Sequence, residues 1–563
     1  VAPPLVWKAR PCDEAAATRL ERELGLSPVV ARLLAIRGHH DPEAADRFLR
    51  PSLSHLRDPW TLTDLAPAVD RLLGAAARKE RIVVHGDYDV DGVTSTVILR
   101  RALELLGADV THFIPERLRD GYGLQPATIE RLHAEGARVV VSVDCGIRAP
   151  EAARRARELG VDLIITDHHE PDTELPQALA VVNPKRHDCP YPDKHLAGVG
   201  VALKLVQGLC QKAGRDGWLQ AFVKIAAIGT LADVVPLVGE NRVIAKLGLE
   251  QLTKGPHKVG LRALLDVSGL SGKTIDAYHI AFMVAPRVNA AGRMASADLA
   301  TRLLLASDDT LADEAQALAQ QLDAENTKRR AEEQEIVAAA RKAVDTDPDV
   351  GAHTVLVVGG EGWHRGVIGI VASKLVDAYY RPAIVLSIEH GVAHGSCRSI
   401  PGFDIPLLDR FGGHKQAAGL QLDAAKIPAF RRAVNDYAAA VLTPDDLRPN
   451  LSLDGALDFD ALTPKVVGDL MAMAPFGLAN PKPVFSAAGI EVVDGPRRLK
   501  ERHLKMSLRQ KGRTFRAIAW NAADKEPVIA GGPGALEVAY GLEQNEFNGT
   551  TYTELRLSDV RRA

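Results

Sequence analysis

From residue 81 onward, short β-rich apolar runs alternate with stretches whose apolar positions recur every three or four residues. That rhythm predicts strands and helices laid down in turn around a parallel, doubly wound sheet. Strands are expected at 82–84, 109–114, 139–143, 163–165 and 180–182, with helices between them at 93–106, 126–135 and 150–160. Ahead of this unit, residues 1–78 read as helical, with stretches at 14–24, 28–37 and 64–79 and a loop at 48–60. Behind it, one long helix is predicted over 311–344. Leu311, Ala315, Leu318 and Leu322 set an apolar stripe that Asn326, Arg329 and Glu333 interrupt before Ile336, Ala340 and Ala343 restore it. The pattern reads as a bridge between two domains, its polar middle open to a cleft where Arg329 or Arg330 faces substrate. A second α/β unit follows, with strands at 354–358, 383–387 and 392–396. After Pro444, β-like runs at 483–486, 491–493, 504–508, 514–520, 536–540 and 551–557 fit a small barrel, with the OB-fold as the leading option.

A chain of 563 residues needs several cores, so three or four domains are expected. Its 46% hydrophobic and 25% charged residues are ordinary for a soluble protein. No apolar run suits a membrane span, and charges throughout the first 30 residues argue against a signal peptide. Five scattered cysteines without a CxxC pair exclude an obvious zinc or redox centre and suit a reduced, cytoplasmic setting. A net charge of −3 does not announce a nucleic-acid binder, yet a local basic groove is compatible with it. Basic residues do gather in the last domain, at Arg497, Arg498, Lys500, Arg502, Lys505, Arg509, Lys511, Arg513 and Arg516. Phe515 and Trp520 are candidate base-stacking platforms there, with core packing the expected role of at least one.

The candidate chemistry begins in His85-Gly86-Asp87-Tyr88-Asp89-Val90-Asp91-Gly92. If the strand direction persisted past Val84, three aspartates spaced by two would share a face. Taken alone the triplet is equally an acidic turn. An EF-hand loop is excluded, because position 12 counted from Asp87 is Ile98 rather than glutamate. Two further strand ends carry Asp144 and the run Asp167-His168-His169, and ligands in such folds gather at the carboxyl edge of the sheet. A later helical stretch brings Asp233 among apolar neighbours. Oxygen ligands with one or two imidazoles suit manganese or magnesium, and several carboxylates suit a pair of ions about 4 Å apart, a device for phosphoryl chemistry. Gly272-Lys273-Thr274 is no phosphate-binding P-loop, since Val267 stands where that motif needs glycine. Residues 285–294 read as a small-residue loop carrying Arg287 and Arg293, either phosphate clamps or structural ion pairs. Two glycine-rich loops, at 395–399 and 412–419, add Arg398, His414 and Lys415 as phosphate-contact candidates.

Eight motifs in order give the chain a resemblance: HGDYDVDG (85–92), SVDCG (142–146), TDHHEP (166–171), GTLADVVPL (229–237), RVNAAGRM (287–294), GWHRGVIGIVASKL (362–375), GSCRS (395–399) and GGHKQAAG (412–419). The chain resembles the bacterial RecJ family of single-stranded-DNA exonucleases in the DHH phosphoesterase superfamily. The resemblance implies an α/β protein: a helical region at 1–78 packed on a DHH parallel-sheet domain at 79–305, a connecting helix at 306–346, a DHHA1 α/β domain at 347–443 and an OB-fold-like barrel at 444–563. It implies hydrolysis of single-stranded DNA from the 5′ end to 5′-mononucleotides with two Mn2+ or Mg2+ ions, in recombination and repair. Carried over by motif, Asp89, Asp91, Asp144, His168 and Asp233 match metal ligands, as does His85, with Asp87 its alternative. His169 would contact the scissile phosphate, and Arg287, Asn289, Arg398 and His414 would hold DNA. Expected partners are single-stranded DNA, single-strand-binding protein and recombination helicases, with no membrane and a monomeric state. The competing readings are a catalytically silent DNA-binding scaffold, which degraded acidic motifs would mark, and an enzyme of short oligonucleotides or cyclic dinucleotides, which needs no barrel.

Overall fold

Every residue of Val139–Val143 is buried, and successive side chains enter different cores. Val139, Val141 and Val143 pack with the helices Leu65–Arg78, Val90–Leu105 and Gly198–Lys212. Val140 packs instead with Pro126–Ala134 and Pro150–Leu159. A strand covered on both faces reads as a continuous apolar run, which is why Val-Val-Val-Ser-Val occupies the middle of the sheet. Its order is Asp109–Phe113, Arg81–His85, Val139–Val143, Asp162–Thr166 and Ala180–Val182, all parallel. The chain leaves Arg81–His85 toward one edge and returns on its other side at Val139–Val143. The strand order therefore reverses between those two, and the crevice beyond their carboxyl ends is the place for a ligand.

The computed structural model describes residues 4–116, 119–121, 123–403, 412–414, 417–531, 535–547 and 550–562, with backbone alone at 412–414, 417, 546–547 and 550–551. Two bodies result. One comprises Asp13–Asn326 and Gly468–Lys482, the other Val1–Cys12, Thr327–Val467 and Pro483–Ala563. The first contains the parallel sheet and a further layer of helices running to Asp298–Leu305. In that layer residues 285–294 form a helix, Ala285–Met294, rather than the expected loop. Pro286 sits in its first turn, where a missing N–H costs nothing, and Val284, Val288 and Ala291 are buried at four- and three-residue spacing.

The long helix spans Ala312–Thr346. Its polar interruption is not open: Asn326, Arg329 and Glu333 are all buried. Arg329 donates to Glu333 at 2.6 Å, and Lys374 pairs with the same carboxylate. Buried charges persist where they are paired, so the broken stripe marks an internal ion-pair network. Arg330 alone of the two arginines is exposed.

In the second body a five-stranded sheet runs Gly412–His414, Ala417–Asp423, Val392–Arg398, Ala383–Glu389, Leu356–Glu361, with only the last two parallel. Both glycine-rich segments are thus strand rather than loop over their described parts, apart from Ser399. The C-terminal strands close into a barrel, ordered Phe485–Leu499, His503–Gln510, Arg513–Ala519, Thr550–Arg562, Leu536–Phe547. The expected pair at 483–486 and 491–493 is one bulged strand, with register shifts on either side of Asp494. Gly495 makes the bend, with φ +90 and room for no Cβ beside the Lys505 carbonyl. The helical reading of 1–78 misses a strand: Val6–Ala9 pairs in parallel with Asn450–Leu453, and Trp7 donates to Asp559 at 2.9 Å. Four residues carry too little periodicity to be seen in advance. It also misses the start of Pro42–Leu49, a helix that extends into the expected loop.

Within the first body, Lys204 lies fully buried, donating to Glu240 at 2.8 Å and to the Arg57 carbonyl at 2.6 Å. Tyr191 and the Arg57 amide complete the shell of the Glu240 carboxylate. Lys204→Met should therefore cost about 3 kcal/mol by stranding a buried carboxylate, measured by urea unfolding. Unchanged stability would show that Glu240 is satisfied without its cation.

Candidate metal centre

The Arg81–His85 strand stops before the acidic triplet, so the three aspartates do not meet by strand alternation. Asp89 caps the helix Val90–Leu105, accepting from the Gly92 amide at 3.1 Å, and Asp91 lies in that helix's first turn. Asp91 in turn accepts from Gly198 and Val199 at 2.7 and 2.8 Å, the first amides of Gly198–Lys212. A carboxylate at one helix start is thereby held by the N-terminus of another, where unpaired amides favour negative charge. Asp87 turns back over this corner. A Cβ on Gly92 would lie 2.5 Å from the Asp87 carbonyl oxygen, so only glycine permits the approach.

Asp144 follows Val139–Val143 with φ +60, a left-handed conformation that aspartate tolerates better than most residues. After Asp162–Thr166, Asp167 gathers the backbone: it accepts from the amides of Ile147, His168 and His169, and from His169 Nδ1 at 2.7 Å. His168 Nε2 points instead at carboxylates, 3.2 Å from Asp144, 3.6 Å from Asp233 and 3.9 Å from Asp91. Asp233 is the C-cap of Val223–Ala232, and Val234 after it combines φ +59 with 71% exposure. An exposed β-branched residue in that region is strained, and such strain clusters at functional sites.

Among the described residues, three groups each bring their ligand atoms within 4.8 Å of one another: Asp91, His168 and Asp233; Asp144, His168 and His169; and Asp87, Asp89 and Asp144. Six of the residues singled out from sequence therefore converge, with Asp87 beside them. His85 stands outside these groups, its Nδ1 3.5 Å from Cys145 Sγ and its ring against Phe113. Arg287 pairs with Asp323 at 2.8 Å and donates to the Met283 carbonyl, while Asn289 accepts from the Val90 amide at 3.2 Å. Arg398, in the second body, donates to Ser396 and the Cys397 carbonyl beside Gly369. The side chain of His414 and all of Lys415 lie outside the described residues. Two contributors were given no role from sequence. Asp167 orients His169, which its place next to paired histidines could have suggested, and the Gly198 and Val199 amides were foreshadowed by the glycine pair opening an apolar helix.

The electrostatics favour protonated carboxyls or a bound cation. Burial, then the Asp89 charge, pushes Asp87 up to about 8 and Asp91 up to about 7. Burial followed by neighbouring carboxylates raises Asp144 and Asp233 as well. Burial and the His169 charge hold His168 down to about 3, so its imidazole is neutral and offers a lone pair. For His169 burial works downward, but the Asp167 hydrogen bond and charge outweigh it and the value rises. Asp144 Oδ1, His168 Nε2 and Asp233 Oδ2 are buried without any hydrogen-bond partner. Orphaned acceptors converging in a dry site fit a divalent ion, and the oxygen-rich set with one or two imidazoles fits Mn2+ or Mg2+.

A parallel sheet that delivers aspartates and paired histidines to its switch point is the arrangement of a DHH phosphoesterase, and the DHH family, N-terminal domain, matches residues 81–230. The DHHA1 domain matches 352–440 and the RecJ OB domain 453–559. The chain belongs to the RecJ family. It is 37% identical to the single-stranded-DNA-specific exonuclease RecJ of Bacillus subtilis (strain 168), over 98% of this chain and 70% of that protein. The crystal structure of RecJ in complex with Mn2+ from Thermus thermophilus superposes with a TM-score of 0.82 at 35% identity, covering 99% of this chain and 79% of that one. The Mg2+ complex from the same organism gives 0.77 at 34%, covering 99% and 78%.

Without metal, the raised carboxyls keep protons that the unfolded chain has released above about pH 4, so stability falls as pH climbs from there through about 8. Mn2+ should accordingly displace more protons on binding at about pH 6 than at about pH 9, where Asp87 and Asp91 have already ionised. Calorimetry in buffers of differing ionisation enthalpy measures this. Equal release at both pH values would refute the assignment of buried, protonated carboxyls.

Proposed function

We propose that this chain is a metal-dependent exonuclease that hydrolyses single-stranded DNA from 5′ to 3′, releasing 5′-mononucleotides in recombination and repair. The convergence of Asp91, Asp144 and Asp233 on His168 Nε2 carries the reading. A silent scaffold would have no reason to keep buried, mutually repelling carboxylates.

In this reading Asp89, Asp91, Asp144, His168 and Asp233 hold two divalent ions, with His85, whose Nε2 is buried without a hydrogen-bond partner, as a further ligand and Asp87 as its alternative. When bound, the ions supply charge for the phosphate and a means of activating water. The chain's own residues do the rest. Asp91 is fixed by two helix-terminal amides, so it presents its carboxylate without reorganisation. Asp167 orients His169 and stabilises its protonated form. His169 Nε2–H then donates to an oxygen of the scissile phosphate. Asn289, accepting from the Val90 amide, braces the helix start that bears Asp89 and Asp91. Arg287 shares the helix Ala285–Met294 with Asn289 and is held by Asp323, whereas Arg398 and His414 remain the phosphate contacts of the DHHA1 domain.

The domains proposed are 1–78, 79–305, 306–346, 347–443 and 444–563. In the barrel, Phe515 packs edge-on against buried Phe459, a core role, while Trp520 is 46% exposed beside His503. The adjoining hairpin tip carries Lys500 and Arg502, and a groove is lined by Arg497, Arg498, Lys505 and Arg516. An exposed indole flanked by cations suits an unpaired base and its phosphate. Among the described residues no helix is long and apolar enough to cross a membrane. A cytoplasmic monomer working with single-strand-binding protein and recombination helicases belongs to the same reading.

Asp144→Asn keeps the side chain's shape and suits φ +60, so it should fold and bind single strands while turnover with Mn2+ drops at least about 100-fold, or about 2.7 kcal/mol of transition-state stabilisation. Turnover near wild type would sink the two-metal reading. Digestion of strands labelled at one end or the other tests polarity: the 5′ label should leave first, and early loss of a 3′ label would overturn the direction.

A further inference from the structure

Residues 473–481 come late in the chain yet are built into the body that carries the metal centre. Gly477 and Asn480 exchange backbone hydrogen bonds, N to O at 2.9 and 3.1 Å, closing a tight turn around Leu478 and Ala479, the latter at φ +61. From this turn the Leu478 carbonyl accepts from the Leu237 amide at 2.8 Å. Leu237 lies four residues beyond Asp233, at the end of the segment that begins with strained Val234. Gly477 sits against the Leu237 side chain so closely that a Cβ there would lie 2.7 Å from Cδ1.

The turn is itself clamped from below. Asn480 is fully buried, and its amide donates to the carbonyls of Met473 and Pro475 at 2.9 and 2.7 Å while its oxygen accepts from Arg37. Arg37 also donates to the Pro481 carbonyl at 2.7 Å. Arg242, 1% exposed, gives its guanidinium to the carbonyls of Phe48, Met473 and Ala474 and stacks 3.5 Å over the Phe48 ring. Lys246 ties the Leu49 and Ala472 carbonyls at 2.9 Å each. These two cations stand on Gly239–Lys254, the helix into which the Asp233 segment leads. A buried guanidinium spent on carbonyls, among the described residues without a carboxylate partner, is a costly anchor unless the segment it fixes must be held still.

We propose that the Gly477–Asn480 turn is a positioning element for Asp233, with Asn480 and Gly477 as its positioning residues, locking the 233–237 segment so that the Asp233 carboxylate stays at the metal centre. The proposal rests on the reading of Asp233 as a metal ligand. The backbone logic is direct. Val234 holds a conformation of higher energy, and a short segment keeps such a conformation only where both ends are fixed. The helix cap fixes one end, and the Leu478 carbonyl with the Gly477 contact fixes the other.

The test uses the full chain freed of metal, with Mn2+ binding followed by electron paramagnetic resonance and folding by circular dichroism. Asn480→Ala breaks the clamp. Gly477→Ala leaves it intact and drives a methyl group into Leu237, so it reads the same link if the first variant fails to fold. Each folded variant should bind Mn2+ about 10-fold more weakly, the scale seen when a group supporting a metal ligand is removed. Excess Mn2+ should restore most of kcat, with KM for single-stranded DNA within about two-fold of wild type. Asp233→Asn is the control. Wild-type Mn2+ binding in both turn variants, with weakened binding in Asp233→Asn, overturns the proposal alone. Wild-type binding in Asp233→Asn as well overturns the ligand assignment and the proposal together.

Discussion

Asp91, Asp144 and Asp233 face a common point where water is largely excluded, and burial is the largest influence on each. Two unit charges at 4 Å repel by about 4 kcal/mol even at an effective dielectric of 20. The neutral His168 brings a lone pair rather than a proton, and the pulls of His169 on Asp91 and of Lys185 on Asp233 are outweighed by burial and the neighbouring carboxylates. The centre is therefore stable as built only when its carboxyls are protonated or a cation is present. Much of the surrounding structure can be understood as the means of holding that repulsion in place.

Holding it requires backbone where side chains would ordinarily be. The Gly198 amide reaches Asp91, and a Cβ on the same residue would lie 2.4 Å from Asp144 Oδ1. A Cβ on Gly229 would lie 3.0 Å from Asp91 and 2.2 Å from Thr94 Oγ1. These glycines let two helices approach the carboxylates closely, and the amides opening one of them set the orientation of Asp91. Asp144 and Val234 accept left-handed backbone for the same end, one at a strand end and one after a helix cap. Asp167 works on the opposite principle: with three amides and the His169 proton around it, its charge is satisfied and its carboxyl falls to about 2 despite burial. Neighbouring aspartates thus serve as empty and filled acceptors because of how many donors the fold brings to each.

The strand ends were legible because period and position coincide there: an apolar run that stops at an aspartate or histidine leaves that residue on the ligand-binding edge. Asp89 and Asp91 were found for a partly mistaken reason, since a helix start rather than an extended strand brings them inward. The helix Ala285–Met294 was hidden by its alanines and glycine, which carry little apolar contrast although the spacing of Val284, Val288 and Ala291 is helical. The polar stripe on the long helix was visible, but composition alone does not separate a wet face from a buried network. Glu333 is satisfied by Lys374, a residue from a different helix, and no local pattern contains that pairing. The Leu237–Leu478 contact joins residues more than two hundred positions apart and lies beyond any periodicity.

Charge on the barrel shows the same dependence on partners. Of the basic cluster that drew attention in the sequence, Arg497, Arg498, Arg509 and Lys511 are engaged by Asp494, Glu526, Glu491 and Asp458. These pairs are solvent-exposed, and exposed pairs are worth little to stability, so a polyanion can replace the carboxylates at small cost. Lys500 and Arg502 require no such exchange: among the described residues neither has a carboxylate partner. Their hairpin ends at His503, whose ring meets exposed Trp520 edge-on at 4.7 Å. In the barrel, the cations at 500 and 502 therefore stand beside an aromatic face without a carboxylate to displace, while four of their neighbours are held by exposed pairs.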